Sequence, residues 1–135
     1  AVWDIWLLVK DLNPDYLGCR FDVRHAMAEG LKSWKLGLKL LQTHIKTLDL
    51  KDFIYARKNG TWGIENVPIG KGAVNFEDYF KTIKGLKIDA PFTLHAEYDL
   101  GGANKGKSEI TLPRKTVLNA LKMDLSTLKT AMKKS

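Results

Sequence analysis

Acidic and basic side chains stand at the ends of three apolar segments of this chain. In FDVRH, Asp22 precedes His25 by three residues, and in LDLKD, Asp49 precedes Lys51 by two. The third segment, FTLHAEY, carries Glu97 near its end. Carboxylates hold divalent metals or move protons, and an ammonium group stabilises a developing oxyanion or a phosphate. The sequence therefore predicts a site assembled from the ends of these three segments.

Each of these segments has the alternation of a β-strand. Residues 17–23, 45–53 and 91–98 carry apolar side chains at one parity and mostly polar ones at the other. A sheet covered by helices on both faces is apolar on both, so one polar face favours a barrel with helices outside and a functional lumen. The polar positions are Arg20, Asp22, Thr47, Asp49, Lys51, Thr93, His95 and Glu97.

Helical spacing of apolar residues separates the strands. It predicts helices over 3–12, 31–45, 76–86 and 113–132, with an irregular segment over 54–75. The order α-β-α-β-α-β-α implies right-handed crossovers and parallel strands. A complete (β/α)8 barrel needs eight strands and about 250 residues. We therefore expect an α/β fold, a partial TIM barrel of about three parallel strands.

Residues 1–135 are accordingly expected to be the C-terminal portion of one barrel domain. Three strands leave open edges and exposed apolar surface, so the expected partners are an N-terminal half-barrel, a second chain or another copy in a homo-oligomer. No run approaches the roughly 18 apolar residues of a membrane span. Cys19 is the only cysteine, which excludes an internal disulfide and leaves the compartment open.

The net charge of +7, from 22 Lys and Arg against 15 Asp and Glu, is compatible with an anionic ligand. The basic residues are spread along the chain, many on the polar faces of predicted helices, where solvation explains them. The charge alone therefore says little about the ligand, and nucleic acid is not an expected partner.

Four stretches resemble the C-terminal half of xylose isomerase-like TIM barrels, the superfamily of sugar phosphate isomerases and epimerases. They are FDVRHAMAEG, LDLKDF, VPIGKGAVNFEDYF and PFTLHAEYDLGGANKG, in the family's order. The resemblance assigns them to barrel strands 6–8 and implies that Asp22, Asp49 and Glu97 bind a divalent metal. Glu97 would also be the catalytic base, and His25 would either contact the sugar or sugar phosphate or join the metal. The family's second glutamate would precede residue 1, so the resemblance implies a site that is incomplete without the N-terminal half.

Asp49 departs from the family's pattern, which usually has His before its Lys-Asp pair. An all-oxygen ligand set favours Mn²⁺ or Mg²⁺ over Co²⁺ or Zn²⁺. Lys51 is expected either to stabilise a developing oxyanion or a phosphate or to form a salt bridge to Asp49 or Asp52. Asp22 and His25 have a structural alternative as well, a capping Asp beside a packed His.

Three further residues are candidates for binding the substrate. Arg57 follows the second strand and is either a substrate contact or a surface residue. Trp62 is a candidate lid that stacks on the apolar face of a sugar. In the loop GGANKGK, Lys105 is either a phosphate contact or part of a flexible turn. His95 is expected to line the lumen, either as a ligand or as a supporting group.

Two other functions compete with a sugar isomerase or epimerase. Loss of the metal-type His at position 49 supports a non-catalytic barrel that binds carbohydrate or serves a structural role. The apurinic endonuclease branch of the same superfamily uses a His-rich zinc cluster. This chain has only His25, His44 and His95, which ranks that branch below the other two.

Overall fold

A computed structural model describes residues 1–135, which form five α-helices and five β-strands. Short 3-10 turns at 31–33 and 103–105 complete the secondary structure. In chain order the elements are α1 (Val2–Val9), β1 (Cys19–Asp22), α2 (Val23–Gly30), α3 (Trp34–Leu41), β2 (Ile45–Leu50), β3 (Asp52–Lys58), β4 (Thr61–Val67), α4 (Phe76–Gly85), β5 (Phe92–Leu94) and α5 (Arg114–Lys134).

The central sheet has three parallel strands in the order β1-β2-β5. The connection after β1 places β2 beside it, and the chain after β2 returns to place β5 on the other side of β2, so no closed barrel forms. The prediction of a partial TIM barrel with about three parallel strands is confirmed. Strands β1 and β5 each pair only with β2, so both edges of this sheet are open.

The apolar side chains at alternate positions of the parallel strands face the helices. Phe21, Leu48 and Leu50 are buried in one hydrophobic core together with residues of α3 and α4. Across that helical layer, the rings of Trp34 and Tyr79 lie with their centroids 5.6 Å apart. Burial of these side chains supplies the main favourable free energy of the fold and fixes the opposite, polar parity toward the open face of the sheet.

The segment 54–75, predicted to be irregular, contains an antiparallel hairpin of β3 and β4. Asn59 and Gly60 form its turn with φ of 50° and 80°, the left-handed values that a tight two-residue hairpin turn requires. The prediction was wrong because the glycines and the proline of this segment were interpreted as residues of an irregular loop, whereas Asn-Gly is itself typical of a hairpin turn.

The parallel strands and the first three of the four predicted helices are shorter than their sequence patterns. Strand β5 ends at Leu94, so Glu97 lies in the loop that follows it. The helix predicted over 31–45 begins with a 3-10 turn and is α-helical over Trp34–Leu41. None of the helices combines the length and apolar character needed to cross a membrane.

Candidate active site

Three parallel strands deliver the polar residues to one end of the sheet. Asp22 is the last residue of β1, and Asp49 stands opposite it in the β2 register. Lys51 follows β2 directly, and the backbone N–H of His95 donates to the carbonyl of Leu50 at 3.0 Å, which extends the β5 pairing past the strand. The C-terminal ends of the strands therefore meet, as the sequence predicts.

Lys51 lies at the centre of these residues. Its ammonium Nζ is 2.7 Å from Glu97 Oε1 and 3.0 Å from Asp22 Oδ2, and its side chain is only 8% exposed. Lys51 forms no salt bridge to Asp49 or Asp52, so that alternative was wrong. Lys51 joins the ends of β1 and β5, which lie on opposite sides of β2.

Asp49 is buried between two basic side chains. Arg20 Nε approaches Asp49 Oδ2 at 2.6 Å, and His95 Nε2 lies 3.5 Å from Asp49 Oδ1. On its other side the His95 ring places Nδ1 3.2 Å from Glu97 Oε1. His95 therefore bridges two of the three predicted carboxylates.

Asp22 combines a structural and a site role. Its Oδ1 accepts a hydrogen bond from the backbone N–H of His25 at 3.2 Å and so caps α2. The His25 ring lies with Nε2 3.7 Å from Asp22 Oδ2, the oxygen that Lys51 also contacts. Asp22 therefore caps a helix, as the structural alternative predicted, and it also lies beside the other predicted site residues.

Acidic and basic side chains alternate through the site in one continuous row, which we call the charged row. Every carboxylate in it has a basic group on each side. In order, it runs His25, Asp22, Lys51, Glu97, His95, Asp49 and Arg20.

Contacts within the charged row shift the pKa values of Lys51 and Glu97. Burial lowers the pKa of Lys51, but hydrogen bonds to Glu97 and Asp22 outweigh it and raise that pKa above 10.5. Burial raises the pKa of Glu97, but hydrogen bonds from Lys51 and His95 outweigh it and bring that pKa below 4.5. At neutral pH Lys51 is therefore a cation and Glu97 an anion, the charge states needed for an electrostatic stabiliser and a proton acceptor.

The candidate substrate residues divide into two groups. Lys105 lines a polar cavity of about 360 Å³ together with Glu97, Asn66 and Asn104. Arg57 and Trp62 stand opposite each other on the β3–β4 hairpin, and neither is among the residues that line this cavity. Arg57 Nε donates to the carbonyl of Gly60, and Trp62 is 67% exposed.

The residues do not fit a preformed divalent-metal site. No group of three His, Cys, Asp or Glu side chains is arranged to hold a metal. Lys51 contacts Asp22 and Glu97 at once, while Arg20 occupies one oxygen of Asp49. A metal at the three carboxylates would lie against two permanent cations. That Asp22, Asp49 and Glu97 bind a metal stays a prediction.

Sequence reasoning did not assign functional roles to Arg20 and Asn66. Arg20 lies on the polar parity of β1, two residues before Asp22, and this spacing was the available signal. Asn66 accepts a hydrogen bond from Arg24 Nε at 3.0 Å at its Oδ1, and its amide nitrogen lies 3.5 Å from the Glu97 carbonyl. It links the hairpin to the charged row, a contact across 31 residues that no local pattern indicates.

Comparison with known proteins identifies the fold. Neither the family models nor the curated proteins gave a match. Among solved structures, the chain is similar to a xylose isomerase domain protein from Planctomyces limnophilus, with a TM-score of 0.64 and 20% sequence identity. The similarity covers 100% of this chain and 44% of that one. The predicted resemblance to xylose isomerase-like barrels is thus confirmed at the level of the fold, and the chain spans less than half of that protein.

Proposed function

We propose that this chain is the C-terminal part of an isomerase or epimerase domain that acts on a sugar or sugar phosphate. The observation that carries the proposal is the charged row at the C-terminal ends of the parallel strands, where barrel enzymes of this kind build their sites. The similar fold of the xylose isomerase domain protein supports the same reaction class.

In this proposal Glu97 removes a proton from the carbon beside the substrate carbonyl. Both of its contacts in the charged row, to Lys51 and His95, are made by Oε1, so Oε2 is free to accept the proton. The Lys51 ammonium stabilises the negative charge that develops on the substrate oxygen. His95 holds the Glu97 carboxylate in position from the side of Asp49.

The polar cavity beside Glu97 is the proposed place for the sugar. Asn66 and Asn104 offer amide groups to sugar hydroxyls, and Lys105 offers a cation to a phosphate. Because this wall comes from one side of the sheet only, the opposite wall, including a second acid–base group, is proposed to come from the rest of a complete barrel.

The test is hydrogen exchange in the complete protein. Incubated in D2O with D-xylulose, D-fructose or D-fructose 6-phosphate, the wild type should exchange the proton beside the carbonyl, followed by proton NMR. Glu97→Gln should reduce that exchange by about 10²-fold or more, the range of a general base. Glu109→Gln removes an exposed carboxylate from the last loop and should have no effect. Equal exchange in wild type and Glu97→Gln would refute the mechanism.

A carbohydrate-binding barrel without catalysis is the second candidate, favoured by carboxylates that are all already paired. Saturation-transfer NMR with the same three sugars distinguishes the two. Binding to the wild type without any exchange would support the second candidate and contradict the first.

A further inference from the structure

We propose that the Lys51 ammonium takes the position of a catalytic divalent metal in this site, so that substrate oxygens are bound without a metal. The inference deepens the proposed function and rests on it for the nature of the substrate, a hydroxy-carbonyl compound. The claim that the site lacks a divalent metal depends only on the charged row.

Lys51 is fixed at the site by its neighbours in the chain. Leu50 before it is 2% exposed, and Asp52 after it is 1% exposed. The Asp52 carboxylate accepts hydrogen bonds from the backbone N–H groups of Gly70, Gly72 and Val74 at 2.9–3.1 Å. The backbone on both sides of Lys51 is thereby held, and the lysine stem is packed where it enters the site. A metal would have to displace a buried ammonium group that this backbone directs to the same oxygens.

The third carboxylate, Asp49, is paired through one of its two oxygens. Asp49 is 3% exposed, and Arg20 approaches one of its oxygens at 2.6 Å while His95 lies beside the other at 3.5 Å. A divalent cation that used Asp49 as a ligand would be placed next to the guanidinium of Arg20. Repulsion from Arg20 and Lys51 together opposes metal binding at low dielectric.

An ammonium group can perform the electrostatic part of the reaction. It has three N–H donors, of which Glu97 and Asp22 accept two, so one remains for a substrate oxygen. Glu97 takes the proton from the carbon, and the electron pair of that C–H bond forms the C=C bond of the enediolate. The carbonyl π electrons move to the oxygen, which accepts the third hydrogen bond of Lys51. Return of the proton to carbon restores Glu97.

Titration of Mn²⁺ into the complete, metal-stripped protein tests the inference without a substrate. Free Mn²⁺ is followed by electron paramagnetic resonance for the wild type and for Asp22→Asn. We expect the two to bind Mn²⁺ within a factor of two of each other, because the wild type has no site there. Stoichiometric binding by the wild type that Asp22→Asn weakens tenfold or more would overturn the inference.

Lys51→Met gives a second measurement. Removing the ammonium leaves Asp22 and Glu97 facing each other without a cation, and Mn²⁺ affinity should rise at least tenfold. Lys46→Met changes an exposed lysine of β2, the strand that Lys51 follows, and should leave the Mn²⁺ affinity unchanged. If Lys51→Met does not fold, the comparison of wild type with Asp22→Asn still shows whether the wild type binds Mn²⁺ at this site.

The two proposals fail separately. Proton exchange that survives EDTA supports both, and exchange that requires added Mn²⁺ keeps the proposed function while refuting the inference. Absence of exchange together with absence of Mn²⁺ binding refutes the proposed function and leaves the metal-free site standing.

Discussion

Replacement of Asp52 by Asn should destabilise the protein more than any other single isosteric change near the site. The Asp52 carboxylate accepts four backbone hydrogen bonds: Oδ1 from Phe53 at 2.9 Å and Val74 at 3.1 Å, and Oδ2 from Gly70 and Gly72, both at 2.9 Å. An amide keeps one of these oxygens and turns an NH2 group toward two N–H donors. Asp52 therefore ties β3 to the loop that leads into α4.

The magnitude follows from the bonds that are lost. A hydrogen bond to a charged group contributes about 1.5–3 kcal/mol, so losing two costs about 3–6 kcal/mol in the free energy of unfolding. That is a large part of the roughly 5–15 kcal/mol typical of a domain. Asp52 is 1% exposed, so water cannot replace the lost partners in the folded state.

Urea denaturation of the complete protein, followed by tryptophan fluorescence, measures the effect. Asp52→Asn should lower the transition midpoint strongly, while Asp89→Asn, at an exposed position, should stay within about 0.5 kcal/mol of wild type. A loss below about 1 kcal/mol for Asp52→Asn would show that the four N–H groups do not depend on the carboxylate.

Three further predictions concern the same region. Gly72→Ala should destabilise strongly in the same urea assay, because a Cβ there would lie 2.3 Å from Asp52 Oδ1; a wild-type midpoint would contradict this close approach. Tyr79→Phe should raise the free energy of unfolding by about 1 kcal/mol, because it removes a buried hydroxyl that has no hydrogen-bond partner; a clear loss of stability would show that this hydroxyl is bonded. Since the folded-state pKa of Glu97 is lowered and that of Lys51 is raised, their ion pair should stabilise the fold between about pH 4.5 and 10.5. Thermal unfolding across pH should show this contribution disappearing as acid protonates Glu97 and, at the other end, as pH rises through the raised pKa of Lys51. Glu97→Gln should lose stability less steeply below pH 4.5 than wild type, and parallel curves would refute the assignment.

Features with a short sequence period were predictable. Alternation along the strands placed Asp49, Lys51 and His95 on one face, and the βαβ order placed the ends of their strands together. Both inferences need only the geometry of a strand and the handedness of a crossover. The hairpin was also within reach, because Asn59 and Gly60 form the turn that two-residue hairpins prefer.

Pairings that depend on three-dimensional register were not predictable. The alternative predicted for Lys51 was a salt bridge to Asp49 or Asp52, yet it contacts Asp22 and Glu97 from the two neighbouring strand ends. Alternation shows only that the side chains of Asp49 and Lys51 lie on the same face of the sheet. A long lysine side chain on that face can also reach sideways to residues of the neighbouring strands. Which neighbour it meets depends on strand order and stagger, which a single sequence does not contain.

The ion pair of Asp49 with Arg20 determines what a change at position 49 can do. Asp49 replaces the His that the resembled family usually carries, and the structure places the guanidinium of Arg20 on its carboxylate. A histidine at position 49 would face both Arg20 and His95 with no acid between them. Introducing a histidine as a metal ligand at position 49 therefore requires changing Arg20 as well. Asp49→His alone should weaken the fold without creating a metal site, whereas Asp49→His combined with Arg20→Leu should gain Mn²⁺ or Zn²⁺ affinity, measured by the same titration. A gain in metal affinity from the single change would show that Arg20 does not determine the chemistry of position 49.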